Sequence, residues 1–167
     1  MDSLDLEVKK LVENIFPLAD VPSIEWIKRG IPLTLVSRRA DKLFKLLNTV
    51  HLIAKTFEDK GFKLNWKKIF SLCLTYGVGD DTLDKINGKN FTLEERIVLL
   101  ASCLVDFVQG LLYVERGFSS CEEKAVKSLR KSVTIARGEE DEEAMYIFLQ
   151  IIDAFKNSFE KSRKWIL

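Results

Sequence analysis

The chain has 167 residues, with 26 Lys and Arg against 25 Asp and Glu, a formal net charge of +1 and 47% hydrophobic residues. That is the size and make-up of one globular domain, and the balanced charge removes the basic excess that nucleic-acid binding ordinarily needs. A single histidine, His51, excludes a multi-histidine metal site and leaves a Ser-His or Cys-His mechanism one usable imidazole.

Helical periodicity runs through the chain, and no segment sustains strand alternation. Residues 3–16 set Leu4, Val8, Leu11, Val12 and Ile15 on one face, with Ser3 as a cap and Pro17 as the stop. A compact stretch punctuated by Pro22, Gly30 and Pro32 follows. From about Ser37 to Lys60, Leu43, Leu47, Val50, Ala54 and Phe57 recur at helical spacing, and Gly61 is the natural end. Asn65 can cap a shorter apolar helix that ends near Tyr76–Gly77, and 81–90 reads as a loop. Thr92 and Glu95 have capping-box spacing and open a segment, to Gly117, that is apolar nearly all round; such a helix belongs in the middle of a domain. Two further helices, about 120–136 and 140–165, are separated by Gly138. The expected fold is all-α: a single compact domain of about six helices over 1–167, with the helices of 120–165 packed on the rest.

Cys73, Cys103 and Cys121 are odd in number, lack CxxC spacing and sit in apolar helical patterns, so no disulfide framework is expected. The start, MDSLDLEVKK, does not read as a signal peptide, and no run approaches the roughly 18 apolar residues that span a bilayer. The expectation is a cytoplasmic protein with neither membrane nor nucleic acid as partner. Lys and Glu are abundant while Gln occurs only at 109 and 150, a composition like that of thermophile proteins.

Four segments form an ordered set. The first holds Val21, Pro22, Trp26, Arg29, Gly30, Ile31 and Pro32; the second runs Ala40, Asp41, Lys42, Leu43, Phe44, Lys45. The third is Tyr76, Gly77, Val78, Gly79, Asp80; the fourth holds Thr92, Leu93, Glu94, Ala101, Leu104, Gln109, Tyr113 and Gly117. In this order, over roughly residues 5–117, they resemble the HD-domain phosphohydrolases, in the branch similar to 5′-deoxynucleotidases. That family holds a divalent metal with a His early in the long helix, a His-Asp pair and a later Asp. The corresponding positions here are Lys42, Tyr76, Gly77 and Ser102, none of them the ligand type such a metal uses. The family's catalytic carboxylate corresponds to Asp80, one methylene shorter. Only 24 residues separate Gly77 from Ser102, where the family carries a longer, pocket-forming segment. His51 cannot replace a ligand: nine residues after Lys42 on one helix, it lies on the opposite face and roughly 13 Å along the axis.

The resemblance implies a vestigial pocket of Lys42, Tyr76, Gly77, Asp80 and Ser102, with Trp26 and Arg29 as candidates for phosphate binding, and with no cofactor or metal. Lys42 could supply an ammonium where the metal would be, neutralising Asp41, Asp80 or Asp106, or could be a surface lysine. Buried in such a pair, its loss would cost about 3–5 kcal/mol; facing solvent, within about 0.5 kcal/mol. Trp26 could instead anchor the first helix while Arg29 faces solvent. Arg38 and Arg39 form a positive cluster at a helix start, or a solvated face. Asp80, Asp81 and Asp84 lack the glycine and final glutamate of a calcium loop. Ser102 and Cys103 lie in an apolar helix with no neighbouring base and read as packing residues. The leading expectation is a non-catalytic, metal-free HD-domain-like protein with a binding, regulatory or assembly role and at most a vestigial nucleotide or phosphate pocket; the candidate partners are a nucleotide or phosphate ligand and a second copy of the chain in a homo-oligomer (dimer). The alternative is an active metal-dependent phosphohydrolase rebuilt on Asp80, Asp84 and Asp106, and a third possibility is a purely structural subunit with no pocket.

Overall fold

The computed structural model describes residues 6, 8, 9, 12, 13, 16–78 and 91–163. Its helices are α1 (Phe16–Ala19), α2 (Ile24–Ile27), α3 (Arg39–Asp59), α4 (Trp66–Val78), α5 (Leu93–Glu115), α6 (Glu122–Arg137) and α7 (Glu142–Arg163), with a 3-10 turn at Ser119–Cys121. Among the described residues there is no strand, only an isolated antiparallel bridge between Pro22 and Arg38. The fold is all-α, as expected. Most of the anticipated first helix, with its Ser3 cap, and the loop of 81–90 lie outside the described residues. Pro17 does not close a helix; it sits in the first turn of α1, where its missing N–H costs no hydrogen bond.

The ends of the helices follow from their capping chemistry. The N–H of Thr92 donates to Glu95 Oε2 at 2.8 Å and the N–H of Glu95 to Thr92 Oγ1 at 3.4 Å, closing the capping box that opens α5. Asn65 Oδ1 accepts from the N–H of Lys68 at 3.0 Å and caps α4. Gly61, at φ +92°, takes the left-handed turn that ends α3, a conformation other residues rarely adopt.

Five successive residues of α5, Ile97 to Ala101, are all buried, so the helix is enclosed on every side. Helix α3 turns Leu46, Val50, Ile53 and Phe57 towards it, at spacings of three and four. Helix α4 adds Ile69 and Cys73, α6 adds Ile135 and Ala136, and α7 closes the core with Ala144, Ile147, Phe148 and Ile151. Phe57 and Phe148 meet at 4.7 Å between ring centroids. One sequence expectation is corrected here: by length and composition α5 is apolar enough to cross a membrane, although most of its apolar stretch is buried inside the fold.

The segment between α1 and α3 makes an excursion with its own small core. Its neck is tied by Ser23 N–H to Ser37 O at 3.0 Å and Arg39 N–H to Val21 O at 3.1 Å. Trp26, Ile31 and Val36 pack with Tyr113 and Cys121 from the far end of α5 and the turn after it. Tyr113 fastens the excursion through its hydroxyl, which accepts from the Ser37 N–H at 2.8 Å and donates to Leu35 O at 3.4 Å. Beside this knot, Gly110 lets α6 come close: a Cβ there would stand 2.8 Å from Ala125 Cβ.

Candidate functional site

The excursion, the start of α3, the middle of α5 and the outer face of α6 surround a cleft of about 750 Å3, within the size range of small-molecule sites. Tyr76 from α4 and Ser102 and Cys103 from α5 are its most buried lining residues. One wall carries Lys28, Arg29, Arg38, Arg39 and Lys42. The other carries Lys124, Lys127 and Lys131. Against these eight cations, the described lining contains two carboxylates, Glu25 and Asp106.

Lys42 projects from the first turns of α3 across to α5, with its Nζ 3.3 Å from Asp106 Oδ1. One turn further along, Lys45 donates to Gln109 Oε1, so the same two helices are stitched by two successive lysines. Asp41 does not pair with Lys42; it accepts the N–H of Arg38 at 2.8 Å and caps α3. The Lys42 and Asp106 side chains are 34% and 19% exposed, so the pair is half-buried and does not reach the fully enclosed state in which a lone charge would be severe.

Arg29 is braced, with its Nη1 donating to Ser120 O at 3.1 Å and standing 3.8 Å from Glu123. Ser120 returns the bond by donating its hydroxyl to Arg29 O. The guanidinium is thereby fixed at the cleft edge, the preorganisation that favours planar recognition of phosphate or carboxylate. Trp26 does not line the cleft. It is buried edge-on against Tyr113 at 5.2 Å, the packing that the anchoring alternative considered from the sequence calls for.

Lys124 lies over the Trp26 ring, 4.5 Å from its centroid, and forms an ion pair with Glu25. Burial, followed by the charge of Lys127, pulls its ammonium down to about 8. Burial likewise pushes the thiol of Cys73 up to about 11, consistent with a packing residue.

Of the expected pocket, Lys42, Tyr76, Ser102 and Arg29 come together. Gly77 falls in the last turn of α4, and Asp80, like Asp81 and Asp84, lies outside the described residues. His51 is exposed and lines a separate depression with Trp66 and Phe70. Arg38 and Arg39, read either way from the sequence, both face the cleft. The lysines of α6 and Lys28 were not among the expected site residues. The α6 set does have a sequence signal: positions 124, 127 and 131 fall within one narrow strip of the helix surface, beside the face that buries Ala125, Ser132 and Ala136.

These residues do not fit a divalent metal. An ammonium group has no lone pair to donate, so the lysines that line the cleft are not ligands for such an ion. Among the described residues, no group of three or more His, Cys, Asp or Glu is placed to hold a metal ion. In comparisons with known proteins, no family model, no curated protein and no solved structure matches the chain.

Proposed function

We propose that this protein binds a phosphorylated small molecule, a nucleotide or phosphate ester, in the basic cleft, without a metal and without hydrolysing it. The observation that supports this most directly is the concentration of eight lysines and arginines around one cleft in a chain of net charge +1. Fixed cations at a concave site raise the local concentration of anions and hold them by charge-assisted hydrogen bonds. Arg29, already oriented by Ser120, supplies a planar fork; Lys42 supplies a point charge where the HD-domain phosphohydrolases that the sequence resembles use a cation. On this reading the scaffold has kept the need for positive charge and met it with side chains.

Calorimetry in the presence of a chelator tests the proposal. A nucleoside monophosphate binds and the uncharged nucleoside does not; a chelator that abolishes binding overturns the metal-free reading. Incubation of the purified protein with manganese or cobalt and a phosphate ester releases no phosphate. Stoichiometric metal together with turnover would instead establish the rebuilt phosphohydrolase.

A further inference from the structure

Resting on that reading, we infer that the ligand is a small molecule carrying three or more phosphoryl groups, held between the two cationic walls of the cleft. The walls are separate in the fold. Lys124, Lys127 and Lys131 form a stripe along α6 whose ends are roughly 10 Å apart, by the rise of an α-helix. Arg29, Arg38 and Lys42 face the cleft from the excursion and the start of α3. A single phosphate dianion reaches only a few of the eight cations of the described lining, which stand on two walls. A chain or cluster of phosphoryl groups meets both walls at once, and each added group brings oxygens to further ammonium and guanidinium donors.

The charge outside the cleft separates a small polyanion from a nucleic acid. With the described lining set aside, 18 lysines and arginines remain against 23 acids, so the rest of the chain has the opposite sign. A nucleic-acid strand extending beyond the cleft would leave this concentration of cations behind, whereas a compact polyphosphate stays within it. The ammonium of Lys124 is drawn down by burial and then by the like charge of Lys127, and an anion between them would offset that repulsion.

The test is calorimetric titration with orthophosphate, pyrophosphate and tripolyphosphate at one ionic strength. Affinity should rise at least about tenfold with each added phosphoryl group. Replacing Lys127→Gln and Lys131→Gln together should remove about tenfold or more of the tripolyphosphate affinity and leave orthophosphate much less changed. Lys55→Gln, on an exposed part of α3 outside the lining, should change neither. Circular dichroism confirms that the variants are folded. Equal affinity for orthophosphate and tripolyphosphate overturns this inference and leaves the phosphate-binding reading standing. Failure of all three phosphates and of nucleoside monophosphates overturns both. A short single-stranded oligonucleotide binding as tightly as tripolyphosphate overturns the restriction to small molecules.

Discussion

Lys124 couples the cleft to pH. Its ordinary value is 10.5 and the fold lowers it to about 8 through burial and the neighbouring Lys127, with Glu25 paired to it from α2. Below about pH 8 both the folded and unfolded chains hold the proton, and the fold bears the full cost of enclosing it. Between about 8 and 10.5 the unfolded chain binds that proton and the folded one has released it, so this group makes stability rise with pH. Urea unfolding across that range should show the rise, and Lys124→Met, which keeps the contact with Trp26, should flatten it. At the facing pair, Lys42→Ala should cost about 1 kcal/mol, nearer the value for an exposed ion pair than for a buried one. Asp106→Asn should tighten phosphate binding, because it removes one of the two carboxylates that oppose the described cations. The sequence put Lys42 next to a short list of carboxylates but did not select Asp106. That choice depends on the register between α3 and α5, which the buried apolar residues of both helices determine together.

Among the elements, α5 was the most legible. Its capping residues and its all-round hydrophobicity state both where it begins and that it lies at the centre. Helix α6 was legible in pattern and opaque in consequence. Its lysine stripe is visible as a spacing, but that the stripe faces a cleft follows from which side of α5 it packs on. The Gly110–Ala125 contact controls that packing. Gly110→Ala would gain up to about 1 kcal/mol of helix propensity, yet its Cβ would stand 2.8 Å from Ala125 Cβ and 3.1 Å from the Trp26 ring. We expect a net loss of about 1–2 kcal/mol in denaturant unfolding, because a close-packed helix pair must move apart to admit one methyl group. A neutral or stabilising result would mean that α6 can shift freely. The excursion of residues 22–38 was recognisable as irregular from its prolines and Gly30. Its closure at the neck by the hydrogen bonds of Ser23 and Arg39 is a tertiary result, and it brings Arg38 and Arg39 beside Ser23 and Glu25.

At the level of the whole molecule, a near-zero net charge conceals an uneven distribution. Counted as a single number, the charge argues against nucleic acid as a partner; resolved by position, it leaves room for a small anion. The described cleft concentrates positive charge, and the remaining residues are acidic in sum. A local concentration of cations makes its own field even where the total charge is near zero. An approaching anion is turned towards the α6 face before it touches the protein, and salt weakens that guidance over a distance of about 10 Å. On the proposed reading, the lysine stripe acts on a ligand's trajectory as well as on its resting place, giving a molecule with almost no net charge a preferred direction of approach.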